Sequence, residues 1–308
     1  MKRFAYKLLL FAAIFFIYDK LFFIVAERSA AAEVDKRLEY LIRGEINKDI
    51  IVLGSSRGAR AILAGEIEKQ TGFSAYNLCY PGSNVEFHEF LMRVLVKYND
   101  PPKVLLMVVD DDTYFFKSTA GTIIFRKDRL YPLVKYPYIR SEMVSLGEKD
   151  RVLSELLVLY RLNKSNFDLR KKQFTPVDTI LSCGSMPISW KSRNGEDRYL
   201  VNYERDYPID EEIPEKVDAF KKIVSACDEH NINLIVVFTP IRRAHSNSFE
   251  ERIRELTGES GAIYVYDREN PAYRDAEYYH DGGHLLNTGA EIFTRELSDY
   301  LLKLRGKL

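Results

Sequence analysis

Apolar residues occur in five near-continuous blocks separated by stretches with helical periodicity. Residues 49–53 (DIIVL), 75–78, 103–109 (KVLLMVV), 233–238 (NLIVVF) and 262–266 (AIYVY) read as buried strands. Between them, 57–70 carries Ile62, Leu63 and Ile67 on one face, and 84–98 carries Phe87, Phe90, Leu91, Val94 and Leu95. Helices are also predicted over 212–230 and 248–257, with a last one over 287–304 bearing Ile292, Phe293, Leu297 and Leu301. Unbroken apolar strands alternating with amphipathic helices predict an α/β fold: a three-layer sandwich around a five-stranded parallel sheet. The alternation lapses after Asp110-Asp111-Asp112. The stretch 113–211 is too long for one loop and is expected to be a mostly helical insertion, with a helix at 149–162.

The amino-terminal pattern differs. Residues 8–18 (LLLFAAIFFIY) and 21–26 (LFFIVA) are apolar, follow Lys2, Arg3 and Lys7, and are interrupted by Asp19 and Lys20. As a helix, 8–26 would span roughly 28 Å, close to the thickness of a bilayer core. A signal peptide cleaved at Ala30-Ala31-Ala32 would leave a secreted or periplasmic protein, but such peptides usually stop after one apolar block. The expectation is a single-pass anchor over 1–27, amino terminus inside, with the folded region outside the cytoplasm. A linking helix occupies 28–45, and the α/β domain occupies 46–308. Lys20 can snorkel to the interface. Asp19 either faces a partner helix or lies near the outer interface.

The 308 residues include 45 Lys and Arg against 45 Asp and Glu, which argues against a nucleic-acid partner. Three cysteines without paired spacing exclude a disulfide framework and a cysteine zinc site. Cys79 and Cys227 fall on apolar faces and read as core thiols.

In open parallel sheets, ligands gather at the carboxyl ends of the strands. Strand one ends in Gly54-Ser55-Ser56-Arg57-Gly58, and strand two in Tyr80-Pro81-Gly82-Ser83-Asn84. The last helix is preceded by His280-Asp281-Gly282-Gly283-His284. A serine at a strand-to-helix turn can act as a nucleophile if a histidine oriented by a carboxylate accepts its proton. Gly282-Gly283 permit a tight loop in which Asp281 reaches one nitrogen of His284 and the other faces Ser56. Taken alone, a Gly-Ser-Ser turn is usually only a helix cap.

Together, Gly54-Ser55-Ser56, the stretch NLCYPGSN at 77–84, and Asp281-Gly282-Gly283-His284 resemble the SGNH (GDSL-type) hydrolase superfamily. The match covers 46–112 and 230–304 and is closest to a membrane-anchored branch with Gly-Ser-Ser-Arg. The resemblance implies a flavodoxin-like fold, with Ser56 as nucleophile, His284 as base and Asp281 as its partner. It also implies an oxyanion hole from the N–H groups of Ser56 and Gly82. The third-block Asn is missing, and Asp110-Asp111-Asp112 stands there. Asn84 is the candidate replacement. The branch acylates exopolysaccharides and teichoic acids beside membrane-bound O-acyltransferases. The implied activity is a serine esterase or O-acyltransferase on acyl, chiefly acetyl, esters of an envelope or secreted glycan, without a cofactor. The alternative is a degenerate glycan-binding or scaffold partner of such an acyltransferase.

Other residues carry weaker expectations. Arg57 either contacts substrate or packs at the surface. His280 and His284 have a ligand-like spacing, but no third His or Cys is near, so no metal is expected. The three aspartates could suggest a magnesium or phospho-acceptor site, and solvated carboxylates are preferred. His88, His230 and His245 read as ordinary surface or helix histidines. Trp190 and the tyrosines of the insertion could stack on sugars, but building a lobe is preferred. A nucleotide site is disfavoured, since neither G-x-G-x-x-G nor a P-loop follows strand one.

Overall fold

The computed structural model of the protein describes residues 1–28, 35–116, 119–162, 179–192, 206–242, 246–304 and 306. The chain forms two compact units. The first is Met1–Val34 with Ile123–Gln173, and the second is Asp35–Thr122 with Phe174–Leu308. In chain order the elements are α1 (Lys2–Arg28), α2 (Arg37–Ile42), β1 (Ile50–Leu53), α3 (Ser56–Ala61), α4 (Ala64–Thr71), β2 (Ala75–Asn77), α5 (Val85–Tyr98) and β3 (Val104–Val109). There follow α6 (Thr119–Leu130), α7 (Pro137–Ser145), α8 (Arg151–Leu156), α9 (Val158–Arg161), α10 (Pro214–Glu229), β4 (Asn233–Phe238) and α11 (Asn247–Thr257). The chain closes with β5 (Gly261–Val265), β6 (Tyr279–Asp281), β7 (His284–Leu285) and α12 (Asn287–Leu304).

The second unit is built on an all-parallel sheet of order β2-β1-β3-β4-β5, with Ile50 of β1 facing Ala75 and Val104. Alternate strand residues point to opposite faces. Ile50, Val52, Leu106, Val108 and Val237 share one core with Ala59 of α3, Ile67 of α4 and Phe293 and Leu297 of α12. On the other face, α5 packs against α2 and α10. Helices thus cover both sides, which is why the strands read as continuous apolar runs rather than alternating ones.

The predicted helix over 57–70 is two helices. Ile62 and Leu63 are extended between α3 and α4. Tertiary partners replace the helical ladder there: Ile62 O accepts from Asn77 Nδ2 at 2.8 Å and Ser185 Oγ at 2.9 Å, and Leu63 N donates to Thr294 Oγ1 at 3.0 Å. Gly58 lets α3 lie against the sheet. A Cβ there would sit 2.5 Å from Cys79 Sγ and 3.0 Å from Val108 Cγ2, both fully buried. Gly58→Ala is therefore expected to cost about 1–3 kcal/mol through overpacking. Urea unfolding checks this, and a variant within 0.5 kcal/mol (about a third of a tenfold change) would contradict the close approach.

The stretch 113–211 is divided between the two units. Tyr114 and Phe115 are buried in the second unit, where Phe115 packs edge-on against Phe220 and Phe249, and Met186 and Ile188 are buried as well. Only its middle belongs to the first unit, with α1. The linking segment is more than a spacer. Arg37 of α2 is buried, donates to the carbonyls of Cys79 at 2.8 Å and Gly184 at 2.9 Å, and lies 4.3 Å from the centre of the Tyr80 ring. Ala30, Ala31 and Ala32 lie outside the described residues.

In the first unit, the predicted helix over 149–162 is broken at Leu157 into α8 and α9. The N–H groups of Val158 and Leu159 donate to the Asp19 carboxylate of α1 at 3.0 and 2.8 Å, so the side chain of another helix caps α9. Among the described residues no helix is long and apolar enough to cross a membrane.

Candidate active site

β1 ends at Leu53, and the chain turns through Gly54 into α3, whose first residue is Ser56. Ser55 is the helix cap, its hydroxyl accepting from Arg57 N at 3.4 Å. This turn projects Ser56 from the carboxyl end of a central strand. Asp281 and His284 lie on β6 and β7, a small antiparallel pair in which the two residues face one another across Gly282-Gly283. The expected tight loop is thus a hairpin turn.

The structure brings the three residues together. Ser56 Oγ is 2.8 Å from His284 Nε2. His284 Nδ1 is 2.9 and 3.0 Å from the two oxygens of Asp281. Asp281 Oδ1 also accepts from the N–H groups of Gly283 at 2.8 Å and His284 at 3.0 Å. Partial burial pushes the Asp281 carboxyl up. The hydrogen bond and charge of His284, the Gly283 N–H and nearby His280 outweigh it and bring the pKa down to about 2. Asp281 is therefore ionised at neutral pH. It is placed to keep a proton on Nδ1, which leaves Nε2 free to accept from Ser56.

Two N–H groups are the expected oxyanion donors. Ser56 N opens α3 and has no acceptor within the helix. Gly82 sits in the turn closed by Ser83 N donating to Tyr80 O at 3.0 Å. Its φ of +79° after Pro81 is what a type II turn requires. Asn84 lies at the start of α5. Its carbonyl caps α5 by accepting from Phe87 N at 3.3 Å, and its amide donates to Glu86 at 2.8 Å.

The aspartates are not simply solvated. Ser55 Oγ donates to Asp110, and Asp111 accepts from Thr113 N at 3.0 Å. Arg57, expected at the surface or on substrate, is turned inward. It pairs with Asp111 at 2.7 Å and donates to Asp110 O. Its burial follows from the preference of a guanidinium for a carboxylate held beside it. Among the described residues, no group of three or more His, Cys, Asp or Glu could hold a metal ion.

His88 is a residue that the pattern misplaced. It is fully buried, with Nε2 2.8 Å from Ser83 Oγ and Nδ1 3.2 Å from Tyr114 Oη. Ser83 Oγ in turn donates to Tyr80 O at 2.6 Å, so His88 braces the turn that holds Gly82. Its spacing from Asn84, Leu91 and Leu95 on one helical face was the available signal. His280 meets Trp190 edge-on at 4.6 Å between ring centres, and its Nδ1 is 2.6 Å from Trp190 O. Trp190 is thereby held beside β6, with its ring partly exposed. Cys79 and Cys227 are buried, and His245 lies outside the described residues.

Comparison of the chain with protein-family models and with curated proteins finds no match in either.

Proposed function

We propose that the protein is a serine esterase or O-acyltransferase of the SGNH type, acting on acyl esters, chiefly acetyl, of an envelope or secreted glycan. The observation that carries this is the continuous relay from Ser56 through His284 to Asp281 at the carboxyl end of β1. The strand order β2-β1-β3-β4-β5 accords with the flavodoxin-like arrangement of that superfamily.

In the proposed reaction, Ser56 Oγ attacks the acyl carbonyl carbon while its proton passes to His284 Nε2. The negative charge on the carbonyl oxygen is received by the N–H groups of Ser56 and Gly82. His284 then returns the proton to the departing alkoxide, and the acyl group remains on Ser56 as an ester. Attack by water completes hydrolysis, and attack by a sugar hydroxyl completes transfer. The same relay serves both.

The apolar side chains displayed around α1, preceded by Lys2, Arg3 and Lys7, support membrane anchoring with the second unit outside the cytoplasm. A membrane-bound O-acyltransferase is the partner this placement suggests. One observation favours a second reading, a scaffold without turnover. Asp110 stands where the superfamily has an amide donor, and a carboxylate repels a developing oxyanion.

The test is covalent labelling of the full chain in detergent with a fluorophosphonate, read by intact mass, alongside p-nitrophenyl acetate turnover. One adduct on wild-type protein, absent from Ser56→Ala, is the expected result. Folded wild-type protein with neither adduct nor turnover would overturn the esterase reading in favour of the scaffold.

A further inference from the structure

Asp19 and Lys20 lie in the middle of the apolar run of α1, where uncompensated charges would each cost on the order of 3 kcal/mol in a bilayer. The structure shows how the chain answers them. Asp19 has no exposed side-chain surface, accepts from the N–H groups of Val158 and Leu159, and pairs with Lys20 at 3.3 Å. Lys20 Nζ also donates to Leu156 O and lies 4.8 Å from the centre of the Phe16 ring. Arg161, at the end of α9, is buried, donates to the carbonyls of Ser154 and Glu155, and lies 5.9 Å from the centre of the Phe23 ring. The Asp19, Lys20 and Arg161 charges where α1 meets α8 and α9 are thus matched within the chain, as hydrocarbon surroundings demand and water does not.

The outer surface of the same segment is mostly apolar, its exposed charges being Arg151 at the start of α8 and Glu155, which lies 3.6 Å from Arg140. Residues 152–162 read VLSELLVLYRL. Val152 is 70% exposed, Leu153 40% and Leu156 48%, in the same unit as the exposed Ile14, Ile17 and Leu21 of α1. The flanking sequence is basic: residues 123–173 contain twelve Lys and Arg against six Asp and Glu, in a chain whose net charge is zero. Basic residues beside an inserted apolar segment favour an anionic lipid surface.

We propose that α8 and α9 dip into the outer leaflet beside α1, forming a re-entrant wedge that makes the anchor a three-element membrane unit. This rests on the anchoring reading above. With the amino terminus inside, Asp19 lies about 18 Å along α1 from Lys7, at about 1.5 Å per residue. In a core about 30 Å thick, the start of α9 would then lie roughly 12 Å below the outer surface of the hydrocarbon. The wedge shields Asp19 from lipid, and Val152, Leu153 and Leu156 meet acyl chains.

The test places an environment-sensitive thiol probe at three positions of the full chain, in a Cys183→Ser background, since Cys79 and Cys227 are buried. The positions are Leu153→Cys in α8, Phe15→Cys in α1, and Glu251→Cys on exposed α11. The protein is reconstituted in phosphatidylcholine–phosphatidylglycerol vesicles containing either acyl-chain nitroxide lipid or no quencher, with iodide as the aqueous quencher. The expected result is lipid quenching at 153 and 15, at least threefold above that at 251, with little iodide quenching at either. If 15 is quenched by lipid and 153 by iodide, the wedge is overturned and the anchor stands. If both are quenched by iodide, the anchoring reading fails and the wedge with it. If 153 is reached by neither quencher, it is covered by protein, and the wedge is again overturned.

Discussion

Asp281→Asn is expected to lower kcat for p-nitrophenyl acetate by about 10⁴-fold with the fold unchanged, the scale seen when the carboxylate of a serine–histidine relay is made an amide. The geometry says why the loss should be so large for a change of one atom. Asp281 Oδ1 accepts from two backbone N–H groups, of Gly283 and His284, so an asparagine would place its carbonyl oxygen there. Its NH2 group would then occupy the place of Oδ2, 3.0 Å from His284 Nδ1. An N–H donor at that point favours the tautomer with the proton on Nε2, which cannot accept from Ser56. The imidazolium formed during attack would also lose its counter-charge. Because the wild-type carboxyl titrates at about 2, its protonation should not limit the rate at pH 5 and above. A loss of less than tenfold would show that His284 is oriented without Asp281. Ser56→Ala should cost no less than Asp281→Asn, and the double variant little more, since the residues act as one unit.

The elements that the hydrophobic pattern revealed are those whose burial is one-dimensional. Strand residues buried on both faces, such as Leu105 and Val236, announce themselves as unbroken runs, and the α12 stripe of Phe293, Leu297 and Leu301 repeats at helical spacing. Ser56, Asp281 and His284 were legible because each sits at a strand end or beside glycines, where chain geometry narrows the options. What stayed hidden depends on partners far along the chain. The break at Ile62–Leu63 is made by Asn77, Ser185 and Thr294, and that at Leu157 by Asp19. No local propensity encodes either. Arg57 and Asp111 read as surface charges because each alone is polar. Their pairing at 2.7 Å, with the Asp110 carbonyl and Thr113 N–H as further partners, allows them to be largely buried. Asn84 shows the converse: its amide suits an oxyanion hole, but its position one residue before α5 makes it a helix cap.

His88 predicts how the protein fails in acid. Full burial among Ser83, Tyr114 and the α5 side chains pushes its imidazole down to about 3; the Gly54 carbonyl opposes the shift, and the charge of Lys216 adds to it. In the unfolded chain the same group titrates near about 6.5. Between these values the unfolded state binds a proton that the folded state refuses. Stability contributed by neutral His88 is therefore complete above about pH 6.5 and falls by about 1.4 kcal/mol for each unit below it. By pH 4 the loss is roughly 3.5 kcal/mol, a large part of the 5–15 kcal/mol that holds a typical domain together. Asp281 acts in the same direction but only in the window from about 3.9 to about 2, so the two are separable. Urea unfolding between pH 7 and 4.5, followed by fluorescence of Trp190, the chain's single tryptophan, measures the slope. His88→Gln keeps donor and acceptor capacity but cannot take up the proton. It is expected to start about 1–3 kcal/mol less stable at pH 7. Its stability should then fall less steeply with acid, by about one proton's worth of slope, so that the two proteins converge near pH 5. Because His88 braces Ser83 and hence Gly82, the same protonation should loosen the Tyr80–Ser83 turn before the sheet unfolds. Wild-type turnover is then expected to fall, reversibly, at a higher pH than that at which Trp190 reports unfolding. Parallel stability slopes for wild type and His88→Gln would remove His88 as the acid-sensitive group.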